Sequence, residues 1–126
     1  MARWLVKTEP SEFSWDDLVR LKKSTWDGVK NPTAAKHLRE MAVGELAVVY
    51  HTGNQKQAVG IAEVVAAGDP PTLKPKLQLA QPVPLATIKA HAAFAASPLV
   101  TIGRLSVLPL SAGEWRALLA LAKTTI

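Results

Sequence analysis

The chain has 126 residues, of which 48% are hydrophobic and 20% charged, a balance that is typical of a folded globular domain and excludes a disordered segment. It contains no cysteine, which excludes disulfides, thiolate nucleophiles and cysteine-ligated zinc. The net charge of +5 favours an anionic partner, and we expect nucleic acid before a membrane because no basic amphipathic helix is evident.

The N-terminal segment predicts a strand followed by a helix. Arg3–Lys7 alternates polar and apolar residues with the period of a half-buried strand, and Pro10 prevents its extension. Ser14 can cap a helix that runs to about Lys22. The first residues contain no apolar run long enough to predict a secretory signal, and no run approaches the roughly 20 apolar residues of a membrane span. We therefore expect a cytoplasmic protein with one domain over residues 1–126, acting as a monomer.

The loop Trp26–Asn31 combines an aromatic ring, a carboxylate and an amide in a short space. Gly28 suits a positive φ, and Asn31 can cap a helix that begins at Pro32 and ends near Met41. A tryptophan before a helix commonly packs in the core. The polar residues around Trp26 favour the alternative, a platform for a flat polar ligand, and in that case truncating its ring would spare the fold.

The middle of the chain predicts a hairpin. Glu45–His51 and Ala58–Ala66 are strand-like runs, and Thr52–Asn54 between them is a turn. Gly60 interrupts the second run, which predicts a β-bulge or a close approach of another group to the backbone.

The C-terminal part predicts a strand over Lys76–Pro82, a short helix over Leu85–His91 and a last strand over Leu105–Leu110. Ser111–Glu114 has the pattern of a capping box, so a final helix begins there. Strands mixed with helices in this irregular order indicate an α+β fold.

Neither a metal site nor an enzyme active site is predicted. The three histidines are His37, His51 and His91. They are widely spaced and lack the partners of a metal site, so we expect structural roles and no cofactor. The carboxylates that could suggest acid–base chemistry are Glu9, Asp16, Asp17 and Asp27. Two of them suit the first turn of a helix, and no nucleophile accompanies the others, so we do not expect an enzyme.

An ordered set of motifs resembles the EVE domain. The motifs are Trp4–Pro10, Phe13–Leu18, Trp26–Asn31, Val49–Thr52, Val59–Val65, Pro109–Ser111 and Glu114–Trp115. Each motif is weak alone, but together they cover almost the whole chain. The resemblance implies a PUA-like fold, which is a small mostly antiparallel β-barrel with surrounding helices, related to the YTH domains that read methylated adenine in RNA.

The resemblance also implies a module that recognises a modified nucleobase, in DNA more than in RNA. A stacked base cannot be held by its face and its edge, so we expect a non-catalytic reader that flips the base into an aromatic and polar pocket. The implied ligand contacts are Lys7, Thr8, Glu9, Trp26, Asn31, Tyr50, His51 and Thr52. Lys30, Lys36 and Arg39 are expected to contact the nucleic-acid backbone. The alternatives are an RNA-binding PUA-like module, a small hydrolase and a protein-interaction domain.

The chain departs from the family pattern at two places. Pro32 occupies a position where the family usually has an aromatic residue, and Gly68–Leu85 lacks an expected tryptophan. We therefore predict an incomplete aromatic cage, and a missing stacking surface costs about 1–3 kcal/mol per base.

Overall fold

The computed structural model describes residues 1–126 and shows a six-stranded mixed sheet that curls into a half-barrel. The strands are β1 (Arg3–Thr8), β2 (Ser24–Thr25), β3 (Leu46–His51), β4 (Gln57–Ala66), β5 (Thr72–Pro84) and β6 (Val107–Leu110). Their order is β2-β5-β4-β3-β1-β6, and only the β1–β3 pair is parallel. The predicted α+β, mostly antiparallel architecture is confirmed.

Five α-helices surround the sheet. They are α1 (Trp15–Leu21), α2 (Pro32–Glu40), α3 (Leu85–Ala90), α4 (Pro98–Thr101) and α5 (Ala112–Leu121), with a 3-10 turn at Ala92–Phe94. None of them has the length and apolar character that crossing a bilayer requires.

β1 lies between β3 and β6, and its residues change from buried to partly buried toward its carboxyl end. Trp4, Leu5 and Val6 are all buried, as expected for a strand that is paired on both sides. Lys7 and Thr8, at its carboxyl end, are only partly buried. The strand therefore delivers two polar side chains to the boundary between core and solvent.

The predicted helix starts are confirmed by their caps. Ser14 Oγ accepts from Asp17 N at 3.1 Å, and Asp17 Oδ2 accepts from Ser14 N at 2.9 Å, which is a capping box. Ser111 and Glu114 form a second box at α5. Asn31 Oδ1 accepts from Ala34 N at 3.0 Å, and Pro32 is the first residue of α2.

Gly60 shows both of the features that the sequence offered as alternatives. The register of β4 against β5 shifts between Ala58 and Gly60, and a Cβ at Gly60 would lie 2.6 Å from ring carbons of Trp15. The backbone N–H of Trp15 also donates to His51 Nε2 at 2.9 Å. α1 is thus packed directly on the sheet, which fixes the turn that precedes it.

The structure differs from the prediction mainly at the sheet edge. β5 is longer than predicted, spanning Thr72–Pro84, although it contains Pro75 and Pro82. Prolines are tolerated there because β2 pairs only with Thr72 and Leu73, which leaves the rest of that edge without a strand partner. β2 and α4 were not predicted because two and four residues carry too little periodic pattern. The last strand begins at Val107 rather than Leu105.

Candidate functional site

A cleft of about 530 Å³ opens where the end of β1 meets the loop between β2 and α2. Its lining residues are Lys7–Glu9, Glu12–Phe13, Ser24–Lys30 and Ser106. The volume is within the range of ligand-binding sites in proteins. We call this space the cleft.

The loop that forms one wall of the cleft is held at both ends. Before it, β2 pairs with the start of β5, and Trp26 N donates to Pro71 O at 2.9 Å. After it, Asn31 caps α2. Gly28, at the turn of the loop, has φ +77°, which is the left-handed region that glycine adopts without strain. The position of Trp26 is therefore fixed by the fold.

Trp26 has both of the roles that the sequence left open. Its side chain is only 6% exposed and belongs to the hydrophobic core, yet it also lines the cleft. Phe13 lies against it edge to face, with ring centroids 5.9 Å apart and an interplanar angle of 87°, a favourable aromatic geometry. Phe13 was not predicted as a site residue, although it stands in one of the EVE-like motifs.

Hydrogen bonds hold the segments of the cleft together. Thr8 Oγ1 donates to Phe13 O at 2.6 Å, which fixes the turn before α1 to the end of β1. Lys7 N donates to Ser106 O at 2.8 Å, so a residue distant in the sequence joins the same wall. Ser106 could not be identified from the sequence because only the pairing of β1 with β6 places it there.

Glu9 is held as a carboxylate at the rim of the cleft. Its Oε2 accepts from Ser11 Oγ at 2.6 Å and from Ser11 N at 2.5 Å. These hydrogen bonds lower the pKa of Glu9 below its ordinary value. Glu9 therefore accepts hydrogen bonds at neutral pH. With Glu12 and Asp27, it gives the cleft three carboxylates against the two ammonium groups of Lys7 and Lys30.

A second, smaller cavity of about 180 Å³ shares Lys7 with the cleft. Lys7, Lys56 and Lys89 line it together with Tyr50 and Thr52, and no carboxylate does. We call this space the lysine cavity. It was not predicted as a separate site, since its three lysines are far apart in the sequence.

Lys7 has few partners within the lysine cavity. Its Nζ donates to Gly103 O at 2.9 Å and lies 5.8 Å from the ring centroid of Tyr50. Lys7 and Tyr50 meet because they are register partners in the parallel β1–β3 pair. Burial lowers the pKa of Lys7 and raises the pKa of the Tyr50 hydroxyl, because desolvation disfavours the charged form of each group.

The structure brings five of the predicted contact residues together in the cleft. They are Lys7, Thr8, Glu9, Trp26 and Lys30. Tyr50 and Thr52 line the lysine cavity and not the cleft.

The other predicted contacts line neither space. The amide oxygen of Asn31 is occupied as a helix cap. His51 is 6% exposed, its Nε2 accepts from Trp15 N at 2.9 Å, and its Nδ1 lies 2.7 Å from Gln55 Oε1. Lys36 and Arg39 lie on α2, where Arg39 Nη1 is 3.9 Å from Asp69 Oδ2.

Comparisons with known proteins agree with the resemblance found in the sequence. A sequence model of the EVE domain matches residues 2–121. Human thymocyte nuclear protein 1 is 35% identical over 81 residues, which cover 55% of this chain and 36% of that protein. The aligned part is therefore only about a third of the relative's length.

Two solved structures share the fold. A protein of Rhodopseudomonas palustris aligns with a TM-score of 0.91 and 36% identity, covering 98% of this chain and 94% of that chain. Human THYN1 in complex with DNA containing 5-methylcytosine aligns with a TM-score of 0.87 and 24% identity, covering 100% of both chains. These alignments confirm the expected PUA-like fold.

Proposed function

This chain belongs to the EVE domain family, and from that premise we propose that it is a non-catalytic module that recognises a modified base in a nucleic acid, DNA rather than RNA. The observation that carries the proposal is the cleft, in which Trp26 and Phe13 stand beside three carboxyl groups. The human relative bound to DNA containing 5-methylcytosine supports DNA as the nucleic acid and a modified cytosine as the first base to test.

The chemistry of the cleft suits a base edge. A flat base needs an aromatic surface for its face and hydrogen-bonding groups for its edge. Asp27 is exposed next to Trp26, and a carboxylate is the natural acceptor for the exocyclic amino group of cytosine. We propose that Trp26 and Phe13 contact the ring of the base and that Asp27 accepts from its amino group.

The base must leave its stack to enter the cleft. Trp26 is 94% buried, since only 6% of it is exposed, so a base that remains stacked in a duplex would not reach its ring. Extruding a paired base costs a few kcal/mol, and the cost is smaller in a mismatch or a single strand. We therefore propose that the protein accepts a flipped base.

The carboxylates favour binding over catalysis. A general acid or base works best with a pKa near the operating pH. The pKa of Glu9 is lowered by its bonds to Ser11, and the pKa of Asp17 is lowered by the backbone N–H of Ser14 and by Arg20 at 2.9 Å. Both groups stay ionised at neutral pH and have structural partners.

Binding to matched oligonucleotides tests the proposal. We expect single-stranded DNA with one 5-methylcytosine to bind more tightly than the unmodified strand. Asp27→Asn should weaken binding to both strands, because cytosine and 5-methylcytosine carry the same amino group. Asp16→Asn is the control because it removes one exposed carboxylate that does not line the cleft. If a panel of modified strands bound no better than unmodified DNA, modified-base recognition would be contradicted. Tighter binding to an RNA strand of the same sequence than to the DNA strand would favour the RNA-binding alternative.

A fluorescent neighbour tests the flipping step. With 2-aminopurine next to the modified base, fluorescence should rise on binding because the neighbour loses its stacking partner. Affinity should increase from the perfect duplex to a mismatch and to the single strand. Unchanged fluorescence together with the tightest binding to the intact duplex would indicate recognition from a groove instead.

A further inference from the structure

We propose that the lysine cavity binds a backbone phosphate of the strand whose base enters the cleft. This inference rests on the proposed function, because the two spaces share Lys7. It also differs from the expectation drawn from the sequence, which assigned backbone contacts to Lys30, Lys36 and Arg39. Of those three residues only Lys30 lines the cleft, and none lines the lysine cavity.

The fold brings the three lysines together through specific backbone contacts. Lys56 lies at the end of the turn between β3 and β4, and its carbonyl accepts from Leu85 N at 2.8 Å. This bond fixes the start of α3 beside the hairpin. Lys89 is one helical turn after Leu85, so its side chain is on the same side of α3. Lys7 reaches the cavity from β1, where Gly103 O holds its ammonium group.

The three ammonium groups have no anionic partner in the protein. The ion pairs of this protein involve other cations, which are Arg20, His37, Arg39, Lys74 and Lys76. One carboxylate lies at the boundary of the cavity, where Glu9 Oε1 approaches Gly53 so closely that a Cβ there would collide with it. Glu9 is already bonded to Ser11. Its charge would direct an anion away from the rim and toward Lys56 and Lys89.

The cavity suits a phosphate better than a base. Its one aromatic residue, Tyr50, is 3% exposed and has the ammonium of Lys7 near its ring, so no aromatic face is free for stacking. A volume of about 180 Å³ is about six times the ~30 Å³ that a water molecule occupies in the liquid. That is room for a phosphodiester group with its ligands. The hydroxyl of Tyr50 stays protonated, because burial raises its pKa, and it can donate.

A third groove also contains lysines but carries a weaker argument. It shares Ser24 and Thr25 with the cleft and includes Lys22, Lys23 and Lys74. Lys74 already lies 3.7 Å from Glu63. The lysine cavity is therefore the better site for a phosphate, since all of its cations are free of ion pairs.

An abasic DNA strand tests the inference separately from base recognition, because it offers phosphates and no base. The test variant is the double substitution Lys56→Asn and Lys89→Gln. Lys56 has φ +46°, a region that asparagine tolerates. The control is Lys123→Asn with Arg116→Gln, since Lys123 has φ +51°, Arg116 is an exposed helix residue, and neither lines the cleft or the lysine cavity.

We expect the test variant to bind the abasic strand about ten-fold more weakly than the control variant, the effect of one charge-assisted hydrogen bond. The slope of log K against log salt should become shallower by about 0.7, the value for one phosphate of a single strand. Affinity for methylated and unmethylated strands should fall by the same factor, because a phosphate contact does not read the base.

The outcomes separate the two proposals. If the test variant matches the control variant in both affinity and salt slope, the phosphate site is overturned, whatever the base preference of the protein. If the protein does not distinguish modified from unmodified strands but the two variants still differ on the abasic strand, the proposed function fails and the phosphate site stands. A test variant that changes only the base preference would also contradict the inference.

Discussion

The cleft and the lysine cavity share Lys7 but are built from different parts of the molecule. The wall of the cleft includes Trp26, which is 6% exposed and packs with the core. The cations that define the lysine cavity include Lys56 and Lys89, which are exposed. We therefore expect binding in the cleft to depend on the packing of the core, and binding in the lysine cavity to depend on charge. Substitutions should therefore affect stability and base preference in the first, and salt-dependent affinity in the second.

Their charges differ in the same way. The cleft has three carboxylates and two lysines, and the lysine cavity has three lysines and no carboxylate. A polyanionic strand would be attracted to the cavity by its charge and would enter the cleft only where a base supplies amino groups for the carboxylates. We therefore expect the lysine cavity to supply affinity and the cleft to supply base recognition, and the following predictions test this difference.

The largest effect is expected for Trp26→Ala. Truncating a buried tryptophan costs about 3–5 kcal/mol of unfolding free energy, and the same change would remove the proposed contact of the Trp26 ring with the base. The burial of Trp26 thus replaces the expectation from sequence that its loss would spare the fold. Urea unfolding and base-preference assays measure the two effects. Trp26→Phe, which keeps an aromatic ring, should recover part of the stability and part of the base preference. Full stability of Trp26→Ala would show that the ring lines the cleft without contributing to the core.

Gly60→Ala should have the next largest effect, because it would displace Trp15, which packs on the sheet next to the cleft. Its new Cβ would lie 2.6 Å from the Trp15 ring, and such overpacking costs about 1–3 kcal/mol. A displaced Trp15 would also shift the turn that carries Phe13. Gly103→Ala is the matched control at the lysine cavity, where a Cβ meets nothing within 4 Å. Equal thermal stability of the two variants would contradict the difference between the two regions.

Much of the fold could be predicted because its signals are local. A cap at Ser14 or Asn31 depends on residues within one helical turn, and both were found where expected. Gly60 was also identified, because a glycine within a strand indicates a position where a side chain would not fit. β2 was missed because only its pairing with β5 makes two residues a strand.

The site was predictable only in part. Residues next to each other on β1 and on the Trp26 loop were correctly expected to meet. Tyr50, His51 and Thr52 were assigned to one surface as a continuous motif, but successive residues of a strand point to opposite faces, and His51 lines neither space. The lysine cavity depends on contacts between distant segments, such as Lys56 with Leu85, which no local pattern reveals.

A smaller effect is expected for Thr8→Val, which removes the hydroxyl that donates to Phe13 O at 2.6 Å. Losing one such hydrogen bond costs about 1 kcal/mol, and the freed turn should weaken the base preference. Thr52→Val is the corresponding change at the lysine cavity, where the hydroxyl makes only a 3.4 Å contact to Thr8 O. We expect that variant to unfold at nearly the same urea concentration as the wild type. A larger loss at Thr52 than at Thr8 would contradict this order.

The smallest effect is a pH dependence that comes from Lys7, the residue common to both spaces. Burial lowers the pKa of Lys7 in the free protein, and a bound phosphate would favour its ammonium form. Affinity for the abasic strand should therefore be complete below the pKa of Lys7 in the free protein and should decrease as the pH rises through it. The decrease should reach about two-fold where half of the free protein carries the neutral amine.

Lys7→Arg isolates this contribution, because the guanidinium keeps its charge throughout the accessible range. The other groups that face Lys7 in the cavity are Tyr50, Lys56 and Lys89, with Glu9 near the rim, and all of them are the same in both proteins. The difference between the two pH profiles therefore reports Lys7 alone. A flatter profile for Lys7→Arg, with unfolding unchanged, would show that the ammonium of Lys7 contacts the phosphate. Two superimposable profiles would place the phosphate on Lys56 and Lys89 only, and would leave Lys7 as a structural contact of Gly103 and Tyr50.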